Sequence, residues 1–361
     1  MSASSFEAPL DTPADWAVLA DWLSERGDPR GEWLQLEQHL TTLDEGSARA
    51  KLRARLIGEF QPIGVAQVDA LNAALGPAAS WLDATWRCGL LVRARLSPDL
   101  DAGPAAIAHA IATLLDSSAS PALGRLHLGD ASTSACRLAL ASGPARPNLH
   151  ALVLGDFREP VGPLAPLATK LANLRTLELR GPGIALADAA LPHLHTLSLH
   201  CEEQFDEPLR VLGEGSFTKL RSLHLRLGGR RYADLPEHLL RLATLLSGSA
   251  TPELEQLGLT AIEFADALIG PLADSPLLCR LSSLDLSDSW LTAAGADLLL
   301  DRADAFEHLR LLELASCHVP AERELALRER FGERVHLGLQ VRGMTWDPVA
   351  RAFDSEVGAE E

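Results

Sequence analysis

The sequence predicts an α/β fold: a solenoid with a curved parallel sheet on its concave side and helices on its convex side, preceded by a small all-α module. Three observations predict it. A seven-residue phrase, Leu-x-x-Leu-x-Leu-x, recurs eight times, starting at Leu123, Leu149, Leu174, Leu194, Leu220, Leu254, Leu281 and Leu309. The spacing of those starts, from 20 to 34 residues, suits one short strand plus one return segment per coil. Most return segments carry apolar residues at helical spacing.

Each element follows in order. Residues 8–60 form a non-repetitive helical module. Its first helix, over residues 14–24, places Trp16, Leu19, Ala20, Trp22 and Leu23 on one face, and Gly27 reads as its C-cap. Asp28 and Pro29 read as N-cap and first residue of a second helix carrying Trp33, Leu34, Leu36 and Leu40. A third amphipathic run covers residues 49–60. Residues 61–85 are a connector punctuated by Pro and Gly, with one helix over 66–75. The array spans residues 86–341. It opens with a degenerate coil, CGLLVRARL, in which Leu91, Ala94 and Leu96 take the leucine positions. An apolar helix over 104–115 follows, then helical returns over 134–142, 207–217, 235–246, 264–273, 292–303 and 321–331. Residues 334–340 read as a closing strand, terminal coils being atypical because they end the exposed core. Residues 342–361 form an acidic tail, expected to be flexible.

The unit LSSLDLSDSWLTAAGADLLLDRADAFEHL, residues 281–309, has strand, turn and full helix. It resembles the ribonuclease-inhibitor subtype of leucine-rich repeat, which implies a helix on the convex side of each coil. Two departures stand out. The position five residues after the second strand leucine, an Asn or Cys in that subtype, holds Ala131, Phe157, Pro182, Glu202, Gly228, Ile262, Ser289 and Cys317. The 20-residue coil at Leu174 has no room for a full helix. In the N-terminal module, Asp21, Trp22, Leu23, Glu25, Arg26, Gly27, Asp28, Pro29, Arg30, Gly31 and Glu32 form a second motif. It resembles the Myxococcales/Gemmata repeat-companion domain, a bacterial domain found ahead of repeat arrays. That resemblance implies the company of repeats and carries no reaction. Read from their chemistry, the mixed charges tie two helices across the corner at Gly27, with a recognition surface as the alternative.

The formal net charge of −17 argues against nucleic acid as a partner. The five cysteines are scattered without a Cys-x-x-Cys pair, which suits free thiols in a reducing cytosol. The first residues lack the basic start and apolar core of a signal peptide, and no run approaches the length of a membrane span. The chain is therefore read as cytoplasmic, with no membrane partner. No Gly-x-x-x-x-Gly-Lys, His-Glu-x-x-His or Gly-x-Ser-x-Gly occurs, so no catalytic residue, cofactor or metal is assigned. His193, His195, His200 and Cys201 are metal-competent types. Along an extended strand, however, His195 and His200 lie roughly 16 Å apart, too far to share one ion.

The third, fifth and seventh residues of each phrase point away from the leucines. They give a candidate partner-binding face of Arg93, Arg95, Arg125, His127, Glu178, Arg180, His200, His224, Arg226, Asp285 and Glu313. Its first two-thirds is basic or His-bearing and its end acidic. The expected function is a non-enzymatic protein–protein interaction scaffold acting through this face with an unidentified protein partner. The alternatives are a targeting or regulatory subunit of a bacterial effector or enzyme complex, and, more remotely, a GTPase-activating or other enzyme. Oligomeric state is not legible from these features.

Overall fold

The computed structural model describes residues 6, 10, 12–201, 205–215, 217–228, 235–341, 344–347 and 352–355. It divides into two compact units, Met1–Leu194 and His195–Glu361. Each carries a mostly parallel sheet with helices in the returns, so the α/β class holds.

The first unit opens with α1 (Pro13–Ser24), α2 (Pro29–Thr42), α3 (Ser47–Arg55), a π turn over Leu56–Phe60, and α4 (Gln61–Leu75). Thr12 starts α1 with a reciprocal capping box to Asp15, and Asp28 caps α2 by accepting the Arg30 amide at 3.0 Å. The boundary drawn at residue 60 falls inside one continuous helical segment. Pro62 lacks an amide and its ring crowds the carbonyl four residues back, which normally kinks a helix. Here the preceding π turn, with Gln61 donating to the Leu56 carbonyl, absorbs the misfit, and helix continues through the proline.

There follow β1 (Leu82–Arg87), β2 (Leu90–Leu96), α5 (Pro104–Asp116), β3 (Arg125–Leu128), α6 (Thr133–Ser142), β4 (Ala151–Leu154), β5 (Gly162–Pro163), α7 (Ala165–Ala168), β6 (Thr176–Arg180) and β7 (Ile184–Ala185). β1 and β2 form an antiparallel hairpin; β2, β3, β4 and β6 then run parallel in consecutive register. The 20-residue coil does without a helix: β7 pairs with β5 of the preceding coil instead. The helical module is not a separate body within this unit. Leu19, Leu23 and Leu34 share one apolar cluster with Cys88 and Leu90 of the hairpin, with Trp16, Trp22 and Trp33 packed against it.

The second unit contains β8 (Thr196–His200), α8 (Asp206–Gly213), β9 (Ser222–Arg226), α9 (Leu235–Leu246), β10 (Gln256–Thr260), α10 (Ala265–Ala273), β11 (Ser283–Asp285), α11 (Ala293–Asp301), α12 (Ala303–Phe306), β12 (Leu311–Glu313), α13 (Ala321–Phe331) and β13 (Val335–His336). Strands β8 to β13 pair in sequence order, all parallel. In the tail, β14 (Met344–Asp347) pairs antiparallel with β15 (Ala352–Ser355); its other residues, apart from those two strands, lie outside the described ones.

The core explains why the phrase specifies strands. All three leucines of all eight phrases are buried, with Leu123 the most accessible at 4%. Each such side chain contributes roughly 1.5–3 kcal/mol on burial. A one-residue slip would turn an entire set out to solvent, so the leucines also fix register.

Candidate functional site

The residues between those leucines line up across strands because the register is unbroken. In the first unit one row runs Arg93, Arg125, Ala151, Thr176, and the next runs Arg95, His127, Val153, Glu178. Arg93, Arg95 and Arg125 are exposed, while His127, Glu178 and Arg180 are half-buried.

Most charges in these rows have partners within the chain. Arg95 binds Asp130 through two nitrogens, at 2.7 and 3.0 Å, and Ser97 donates to the same carboxylate at 3.0 Å. Burial pushes the Asp130 carboxyl up, but those donors outweigh it and hold it below the usual carboxylate range. Arg180 binds Glu178 at 2.6 Å and reaches back over Val153 toward His127. A Cβ placed on Gly129 would lie 3.0 Å from the His127 ring and 3.2 Å from the Arg180 guanidinium. Burial, then the nearby Arg95 and Arg180, push the His127 pKa down, so the ring is neutral near pH 7. Arg93 and Arg125 differ. Adjacent on parallel strands, they make no ion pair or hydrogen bond among the described residues.

In the second unit the rows are Thr196, Ser222, Gln256, Ser283, Leu311 and Ser198, His224, Gly258, Asp285, Glu313, His336, with His200, Arg226 and Thr260 in a third. His224 lies over Gly258, bonds the Thr260 hydroxyl at 3.0 Å and sits 6.1 Å from the His200 ring. Arg226 pairs with Asp288 at 2.6 Å. Asp285 accepts the Ser287 amide at 2.8 Å, while Glu313 accepts the Ala315 amide at 3.0 Å and pairs with His336 at 2.6 Å. The acidic end of the face is thus largely engaged in strand-end hydrogen bonds.

Sequence reasoning missed Asp130 and Asp288, which cancel two of its candidate cations. Both sit one residue past a phrase, so an Asp in the eighth position was the available signal. Asp288 has φ +57, a left-handed conformation that Asp tolerates better than most residues.

The charged motif of the helical module closes on itself. Gly27, at φ +72, turns the chain out of α1, and Pro29 begins α2. Arg30 is 5% exposed. Its guanidinium grips Asp28 (2.5 Å at the closest pair) and donates to the carbonyls of Ser118 at 2.9 Å and Gly89 at 3.5 Å. Burial raises the Asp28 carboxyl, but the Arg30 hydrogen bonds prevail and leave it lowered. Asp21 accepts from Gln35 at 2.9 Å, Glu32 pairs with Arg55 at 2.7 Å, and Arg26 stacks over Trp22 at 4.0 Å. Gly31 lets α2 touch α1.

Two cavities of about 360 Å³ lie in the first unit, one beside Trp22, Pro121 and Asn148, the other beside Trp33, Val65 and Cys88. In the first, Asn148 donates to the Phe6 and Pro121 carbonyls, and Arg146 to the Leu115 carbonyl and Asp116. Burial pushes the thiols of Cys136, Cys201 and Cys317 up to about 12 and raises Cys88 as well, which makes them poor nucleophiles. Among the described residues no group of three or more His, Cys, Asp or Glu converges as metal ligands do. No helix there is long and apolar enough to cross a membrane.

No family model matches the chain, and no curated protein does. Among solved structures it is similar to a Bacteroides fragilis protein determined by a structural genomics consortium. The match has 18% identity and a TM-score of 0.52, and covers 64% of this chain and 70% of that one. At that identity the likeness shows the fold alone.

Proposed function

We propose that the chain is a leucine-rich-repeat array of the ribonuclease-inhibitor subtype behind a repeat-companion module, and that it works as a non-enzymatic protein-interaction scaffold. The outward rows of the sheet are the binding surface. One observation carries this reading: parallel sheets are normally covered on both faces, yet here one face is sealed by leucines and the other presents exposed and half-buried side chains in register. Repeat arrays use such extended surfaces to hold partners.

Affinity capture with the full chain, read by mass spectrometry, tests it. Thr176→Trp and Ser222→Trp place bulk on the outward rows of the first and second unit without touching the leucines. At least one should lose the partners held by the parent while keeping its circular dichroism spectrum. Capture undiminished from the parent in both variants rejects the outward face as the binding surface.

A further inference from the structure

Arg93 and Arg125 occupy neighbouring strands at the same register position, both exposed. Parallel strands are about 4.8 Å apart, so the two side chains leave the sheet side by side. Like charges directly opposite one another weaken a sheet, and the fold offers this pair no compensation. Other face arginines show what compensation looks like: Arg95 has Asp130, Arg180 has Glu178, and Arg226 has Asp288. The row beyond Arg125 continues with Ala151 and Thr176, which are small and uncharged, so nothing in it competes for the guanidiniums. This happens in a chain of net charge −17 with 49 Asp and Glu residues, none of which pairs with Arg93 or Arg125 among the described residues.

We propose that Arg93 and Arg125 form the anchor of a site for an acidic peptide segment, bound extended across β2, β3 and β4 with carboxylates at alternate positions. The chemistry fits on three counts. A guanidinium presents a planar fork that binds a carboxylate bidentately. Residues two apart on an extended peptide face the same way, roughly 6.6 Å apart, within the spread of two long side chains. Ala151 and Thr176 leave room for the segment to continue. The salt-bridged Arg95 and Arg180 flank this anchor without supplying free charge. The inference rests on the outward face being the binding surface and narrows it to one end of the first unit and one class of partner.

The test is fluorescence anisotropy of the full chain with a labelled synthetic peptide of alternating Glu and Thr. The same peptide with Gln for Glu, a phosphoserine version and a single-stranded oligonucleotide serve as comparators. The Glu peptide should bind, lose affinity as salt is raised, and bind about tenfold more weakly to Arg93→Gln/Arg125→Gln. Arg302→Gln, which removes an arginine held by Asp274 at 2.9 Å among the helical returns, away from the outward rows, should leave binding unchanged. Equal binding of the Gln peptide, undiminished binding to the double variant, or binding of only the phosphopeptide or oligonucleotide overturns the proposal. The capture experiment separates the two levels. If peptide binding fails while Thr176→Trp or Ser222→Trp still loses partners, the acidic class is wrong and the surface stands; if peptide binding fails and neither Trp variant loses partners, the surface is wrong as well.

Discussion

A methyl group at residue 31 would lie 2.3 Å from the Ser24 hydroxyl and 2.5 Å from the Ala20 carbonyl oxygen. Neither can retreat easily, because Ser24 donates to that same carbonyl at 2.8 Å inside α1. Gly31→Ala therefore forces α2 away from α1 and pulls on Arg30, its neighbour, which holds the corner to the Ser118 carbonyl. The expected cost is about 1–3 kcal/mol, the range for overpacking a close contact. Gly58→Ala is the same chemical change with the opposite sign. That position lies in the π turn of a helical segment, and nothing stands within 4 Å of the added carbon. It should stabilise by roughly 0.4–1 kcal/mol through the unfolded chain. Urea unfolding of both variants beside the parent decides the matter; equal midpoints for the two would show that the corner is not tightly packed. In the mixed-charge motif, Asp21, Arg26, Asp28, Arg30 and Glu32 are each engaged in contacts within the helical module or to its neighbouring coil.

Between coils, the expected Asn or Cys ladder is seen among the described residues at two positions near the end of the array. Ser289 accepts the Ile262 amide at 3.1 Å, and Cys317 donates to the Leu286 carbonyl at 3.3 Å. A different ladder operates at the residue just before the phrase. Asn148 donates to the Pro121 carbonyl at 2.6 Å, Asn173 to Pro147 at 2.9 Å, Arg280 to Pro252 at 3.1 Å, and the His308 ring bonds the Leu278 carbonyl at 2.7 Å. Each acceptor lies one coil back. Removing a side chain here strands a carbonyl in a part-buried turn, so Asn148→Ala and Asn173→Ala should each cost about 1–3 kcal/mol. Asn173→Asp should cost as well, since a carboxylate cannot donate. Thermal denaturation of these variants checks it, and unchanged midpoints would mean that water replaces the bond. This ladder was hidden in the sequence because three residue types, Asn, Arg and His, fill one structural role. The strands were legible because their leucines repeat at a spacing only strands use. Strand β1 was not: it pairs through a two-residue turn at Cys88 and Gly89, with φ +49 and +72. Such turns usually announce themselves as Asn-Gly or Asp-Gly. For the face, direction was legible from period-2 alternation. Neutralisation was not, because it depends on which strands are neighbours and on residues just past their ends.

At the scale of the whole chain, proton binding sets two tendencies against each other. With histidines neutral the formal charge is −17, so protonating its 12 histidines as pH falls relieves self-repulsion and favours the compact state. Two rings act the other way. His127 is held down first by burial and then by Arg95 and Arg180, with Asp130 and Glu178 opposing. His318 stacks on Trp290 at 4.0 Å and is held down by burial, with Asp266 opposing; neither ring's Nδ1 has a hydrogen-bond partner among the described residues. Above the unfolded histidine pKa of about 6.5 both states of these rings are neutral and contribute no pH dependence. As pH falls through that value and on through the lower folded values, the unfolded chain takes up the protons first, and stability is lost. The parent's own profile mixes both tendencies, so the informative quantity is a difference. Between about pH 7.5 and 5.5 the urea midpoint of His127→Gln/His318→Gln, relative to the parent, should move in the variant's favour. The other histidines are common to both proteins and cancel. A gap that stays constant with pH would mean that these two rings take up protons as readily in the folded protein as in the unfolded one, and that the sheet face and the Trp290 stack impose no penalty on charge.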